Sequence, residues 1–193
     1  MNEFVTLMRA ELVVTIIIFL LLFIKIGKGM NSEKLLVLIQ IVLGINFITG
    51  LAVNEDGVLF GGLYHTDTLI AVQKNILNLG VFLISLLFAD WFKKSDQLAE
   101  FFILMLSALL GMFFLLSSGN LLMFYLSLEL ASIPVAAMAN FDLQKRISSE
   151  AAVKMILSSA FSSGILLFGI SLIYGATGTI SFAELPSLLQ LNN

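Results

Sequence analysis

Apolar positions in this chain come in long unbroken runs instead of the short alternations of amphipathic elements. Six runs stand out: Leu12–Ile26, Leu35–Val53, Leu69–Ala89 with Trp91 after it, Phe101–Leu116, Leu121–Phe141 and Ala151–Tyr174. A helix rising 1.5 Å per residue crosses a hydrocarbon core of about 30 Å in about 20 residues. The runs therefore predict six transmembrane helices. Strand-type alternation is absent, which argues against a membrane β-barrel. The first run is short enough to resemble a signal-peptide core. However, Glu3 and Glu11 precede it, Lys25 and Lys28 follow it, and no small-residue cleavage pattern appears, so it reads as a retained helix. After Tyr174 come a turn-rich stretch, GATGTISF, and then AELPSLLQL, too short to span and read as a short interfacial helix.

Charge orders these helices across the bilayer. Lys25, Lys28 and Lys34 lie between the first and second spans, Lys93 and Lys94 follow the third, and Lys145 and Arg146 follow the fifth. The alternate connections hold Glu55, Asp56, His65 and Asp67, then SSGN, then Glu184, with no Lys or Arg. Arg9 is the one dissenter. The positive-inside rule then makes the basic loops cytoplasmic and puts both ends of this segment outside. The charged stretch KKSDQLAE divides residues 1–95, three spans almost free of internal charge, from residues 96–193, three spans with ionisable groups plus the short amphipathic segment.

Composition agrees and excludes several functions. Hydrophobic residues are 59% of the 193, charged residues 12%, and the mean hydropathy is +1.04, far from a soluble domain's ~45–50% apolar and ~25% charged. A net charge of −3 leaves no basic face for nucleic acid. No cysteine is present, so thiolate metal sites and disulfides are impossible, and the single histidine, His65, rules out His-based metal sites and triads. What remains is proton or ion movement.

Glu129 is the residue that asks for explanation. It lies in the fifth run, roughly 13–17 Å from either interface, farther than a glutamate stem reaches. A charge there costs at least ~2.5–3.5 kcal/mol, so the carboxyl is protonated, paired with a cation, or beside water. Pro134, five residues on, removes the hydrogen bond to the Leu130 carbonyl and favours a kink next to it; Ser132 lies between them as a supporting polar group. Lys154, about 9 Å into the sixth span, is the natural partner, although a lysine at that depth also snorkels. Lys154, Ser158 and Ser162 form a polar stripe at i, i+4 and i+8, and the small pairs Ala160/Gly164 and Ser159/Ser163 allow close helix approach. The sixth span is thus expected to pack inside protein, its lysine toward a neighbour. Lys74 is expected to snorkel from the outer end of the third span, and Asp67 and His65 to be loop residues.

Residues 99–182, and above all LSLELASIP, QKRISSEAAVK and LLFGISLIYGATG, resemble subunit N of bacterial NADH-quinone oxidoreductase, respiratory complex I. The resemblance over residues 1–98 is looser. It implies an all-α integral membrane protein, the first part of an antiporter-like subunit built on inverted repeats. It implies a proton path in which Glu129 matches the family's glutamate and Lys154 its sixth-helix lysine. Helices beyond the sixth are not in this sequence, so the chain is expected to be the N-terminal part of a longer subunit of a translocase. Flavin, iron–sulfur clusters and quinone are implied for the complex and none for this chain. The implied partners are neighbouring antiporter-like and small membrane subunits and the lipid of a bacterial inner membrane. A cation/proton antiporter or membrane-bound hydrogenase subunit on the same repeat, and a non-pumping assembly scaffold, are the alternatives.

Overall fold

One face of the first long helix shows how the chain packs. α2 (Arg9–Ile26) buries Glu11, Val14, Ile17 and Leu21, spaced three to four residues apart on one side, and exposes Ile16, Phe19 and Phe23 on the other. The structure, a computed structural model, describes residues 2–27, 31–52, 56–93, 97–141 and 146–191. The loop residues Lys28, Glu55, Lys94 and Lys145, on which part of the orientation argument rests, lie outside these.

In chain order the helices are α1 (Asn2–Leu7), α2, α3 (Ser32–Ala52), α4 (Thr68–Leu87), α5 (Ala89–Lys93), α6 (Leu98–Leu116), α7 (Leu121–Ala139), α8 (Arg146–Thr177) and α9 (Leu185–Leu191). The six predicted spans are α2, α3, α4, α6, α7 and α8, and the predicted short terminal helix is α9. Five of the six, all but α2, have both the length and the apolar character of a membrane span. α2 is the exception for a chemical reason. Its 18 residues carry Arg9, Glu11 and Lys25, and each of these charges has a partner in the fold. Lys25 Nζ lies 2.6 Å from Glu100 at the start of α6, Arg9 donates to the Thr49 carbonyl at 2.6 Å, and Glu11 is bound by Lys74. Arg9 thus caps the Thr49 carbonyl in the last turn of α3, which accounts for a cation on the otherwise acidic side. The chain is a multi-pass membrane protein.

The core joins both halves of the chain. Val14, Ile17 and Leu21 of α2, Leu36, Ile39 and Leu43 of α3 and Val81 of α4 pack with Phe102, Leu106, Leu109 and Phe113 of α6. α6 also meets α7 closely at Gly111, where an added Cβ would sit 2.4 Å from the Ala131 nitrogen and 2.7 Å from its Cα. These are backbone atoms and cannot swing aside, so the site needs glycine, a small-residue contact of the kind that lets membrane helices approach. We expect Gly111→Ala to cost about 1–3 kcal/mol, seen as a lower unfolding temperature in detergent, with Gly80→Ala, which meets nothing within 4 Å, as the control.

Three connections are stitched together at one end of the bundle. The segment between α3 and α4, expected as loop, contains a two-stranded antiparallel hairpin, β1 (Gly57–Leu59) and β2 (Tyr64–Thr66). His65 N–H donates to the Ser117 carbonyl and Gly119 N–H to the Leu63 carbonyl, both at 2.8 Å. Leu121 N–H donates to the Ile180 carbonyl at 2.9 Å, tying in the segment after α8. These are the same three connections that lack basic residues. Asp67 is more than a loop residue. Its carboxylate accepts from Ile70 N–H at 2.7 Å and caps α4, as Asn120 caps α7 through Met123 N–H.

Candidate functional site

Glu129 lies eight residues into the 19-residue α7, directly before Leu130 and Ala131, where α6 approaches closely at Gly111. Its Oε1 is buried and has no hydrogen-bond partner among the described residues. Buried carboxyl oxygens are nearly always partnered, so this one marks a place where a proton, water or further chain belongs. Pro134 is buried inside α7, which remains helical from Leu121 to Ala139. The Leu130 carbonyl consequently lacks its usual donor beside the carboxyl. Ser132, expected to support Glu129 through its side chain, instead donates to the Glu129 main-chain carbonyl at 3.3 Å.

The structure does not bring Lys154 to Glu129. Lys154 Nζ pairs with Glu150 Oε1, one turn back on α8, at 2.6 Å, with the lysine side chain 74% exposed. The expectation that the Lys154–Ser158–Ser162 stripe faces a protein neighbour is therefore corrected within this chain. Lys154, Ser158 and Ser162 are exposed, whereas Ala152, Ser163 and Ile170 are buried. Lys154 and Ser163 are nine residues apart, two and a half turns at 3.6 residues each, which puts them on opposite sides of the helix. Of the two small-residue pairs, Ser159/Ser163 lies toward the packed side and Ala160/Gly164 is exposed. Ser162 Oγ donates back to the Ser158 carbonyl at 2.9 Å, which satisfies the hydroxyl within α8.

A second ionic site was not anticipated. Lys74 does not snorkel. Its Nζ lies 2.6 Å from Glu11 Oε1, with the two side chains only 4% and 2% exposed. It also donates to the Tyr64 hydroxyl at 2.9 Å and sits 4.9 Å from the centre of that ring. Burial, and then the Glu11 carboxylate, push the Tyr64 phenol well above its ordinary value, so Tyr64 keeps its proton and serves as a fixed donor. The signal for this site was in α4. Its buried positions, Lys74, Asn75, Asn78, Val81 and Ser85, share one face and are mostly polar, while Val72, Ile76 and Leu83 point outward. In a membrane span that inversion marks the face packed against protein.

Comparison with known proteins places the chain in a family. Residues 118–193, which include Glu129, Pro134 and Lys154, match the family described as NADH:quinone oxidoreductase/Mrp antiporter, transmembrane. The chain is 48% identical over 136 residues to NADH-quinone oxidoreductase subunit N of Phocaeicola vulgatus, covering 69% of this chain and 29% of that protein. It is 37% identical over 194 residues to subunit N of Bartonella bacilliformis, covering 96% of this chain and 39% of that protein. The chain belongs to the subunit N family. Among solved structures it is similar to a chain of respiratory complex I from Thermus thermophilus with bound aureothin, at a TM-score of 0.74 and 25% identity over 89% of this chain and 38% of that one. An archaeal membrane-bound sulfane sulfur reductase shares the fold at a TM-score of 0.66 and 21% identity over 91% of this chain and 38% of that one. The subunit N likeness thus runs through all the spans, while the chain extends over only 29% and 39% of the length of the two relatives.

Proposed function

We propose that this chain is part of a membrane subunit of a proton-pumping NADH:quinone oxidoreductase and carries part of a proton path through Glu129. The observation that carries this reading is the mid-helix carboxyl with a buried, unpartnered Oε1 beside a proline-freed carbonyl. A relay group must release and rebind a proton as its surroundings change, which a carboxyl without a permanent cation can do. Lys154 is proposed as a second group on the same path. Its pairing with Glu150 is exposed in this chain, and neighbouring helices of the complex would have to turn that face inward. Neighbouring antiporter-like and small membrane subunits are the proposed partners, and their helices would cover the apolar surface of α8. On this reading flavin, iron–sulfur clusters and quinone are bound elsewhere in the complex; a chain without cysteine has no thiolates for a cluster. The membrane is a bacterial inner membrane, with the hairpin side outward.

NADH-driven proton uptake by membranes carrying Glu129→Gln tests the site. Proton transfer that depends on a cation gradient and not on NADH would favour the antiporter alternative, and an effect confined to assembly would favour the scaffold. Orientation has its own test. Cysteines introduced at Ser118, between α6 and α7, and at Ile147, 81% exposed at the start of α8, are expected to react with an impermeant thiol reagent from opposite sides of the membrane. Labelling from one side would reject the assigned topology.

A further inference from the structure

The Glu11–Lys74–Tyr64 cluster is incomplete in a particular way. Lys74 fills Glu11 Oε1 at 2.6 Å. The Tyr64 hydroxyl oxygen lies 3.1 Å from both the Leu7 carbonyl and Glu11 Oε1, and its one proton goes to one of them at a time. Glu11 Oε2 is buried with no hydrogen-bond partner. Asn78, only 2% exposed, likewise leaves its Oδ1 unpartnered. Asn78 and Lys74 line a cavity of about 50 Å³ together with Asn46, Asn75, Thr66 and Arg9. That volume has room for about three waters.

The chemistry of the orphans selects the ligand. Both are oxygen acceptors, and the two cations nearby are already engaged, Arg9 with the Thr49 carbonyl and Lys74 with Glu11 and Tyr64. The site therefore calls for donors and not for an anion. A metal cation would suit two oxygens, but the Lys74 ammonium already occupies the carboxylate and would repel it. Water and the proton it carries remain. A merely structural ion pair, held dry, would have its remaining lone pairs filled by protein donors.

The cavity lined by Asn46, Asn75 and Asn78 meets the cluster at Lys74. We infer that Glu11, Lys74 and Tyr64 form a second protonatable site, and that water entering from the cavity past Lys74 exchanges a proton at Glu11 Oε2. In the uptake step an O–H bond of a hydronium breaks, the Oε2–H bond forms and a water is left behind. The ammonium keeps its proton, so the site goes from neutral to a single positive charge. The groups facing it are Glu11 and Arg9 from α2, neutral Asn46 from α3, Lys74 from α4, Tyr64 and neutral Thr66 from the hairpin, and Phe113 from α6.

The test uses the complete membrane complex and reads Glu11 directly, so its outcome is independent of proton pumping through Glu129. Infrared difference spectra between acid and neutral pH are expected to show a protonated-carboxyl band that shifts in D₂O within minutes and is missing from Glu11→Gln. A spectrum in which Glu11→Gln removes no titrating band, or a band that resists D₂O, would make the pair a dry strut and overturn the inference. If Glu11→Gln does not assemble, cysteine accessibility decides. Ala71, which lines the cavity, is compared as cysteine with Ser85, fully buried further along the same face, in a chain with no cysteine of its own. A small water-soluble thiol reagent should modify Ala71→Cys about tenfold faster or more; equal rates would equally overturn hydration of the site.

Discussion

Glu129→Gln is expected to lower NADH-driven proton transfer about tenfold per assembled complex while leaving the amount of complex unchanged. Glutamine keeps the size and the hydrogen-bonding reach of the side chain and removes only its titration. The fall stays below the ~10²–10⁴ that a positioned acid–base group supplies, because water near a buried carboxyl still relays slowly. Glu129→Asp moves the carboxyl back by one methylene and should retain a measurable part of the rate if water bridges the gap. Lys154→Met should lose less than Glu129→Gln, since its ion-pair partner among the described residues is the exposed Glu150, and an exposed pair contributes ~0–1 kcal/mol. The measurement is proton uptake on NADH addition, normalised to the complex present. A normal rate in Glu129→Gln would leave the residue a packing carboxyl and remove the proposed path.

Lys74→Met should destabilise the fold by about 3–5 kcal/mol, the cost of leaving a buried charge without its counterion. Glu11, with its side chain 2% exposed, cannot swing out to bulk solvent, because α2 buries it on the same face as Val14 and Ile17. Glu11→Met alone should be about as damaging, for the converse reason that it strands the ammonium. The double variant Glu11→Met/Lys74→Met should recover most of the loss, since a buried ion pair is often replaced by apolar side chains at little cost. Thermal unfolding in detergent of the single and double variants gives the coupling directly. Additive losses would show that the two residues are not paired.

Much of this architecture could be read before any packing was known. Uninterrupted apolar runs specify membrane helices because lipid leaves the backbone no partner but itself, and Glu129 announced itself because nothing at mid-bilayer solvates a carboxylate. The resemblance of residues 99–182 to subunit N was carried by local motifs and needed no fold. Partnership was different. Glu11 and Lys74 are 63 residues apart, and each, taken alone near a helix end, reads as a side chain on its way to water. Only the packing of α2 and α4 against α6, with Tyr64 brought over them by a hairpin that the chain's sparse alternation did not reveal, turns them into a buried pair. The same holds in reverse for Lys154, whose polar stripe was plain along α8 but whose direction depends on which face α7 covers. Helical periodicity specifies which residues share a face. Which face meets protein is decided by the surfaces of the other helices, and a single span's sequence does not contain them.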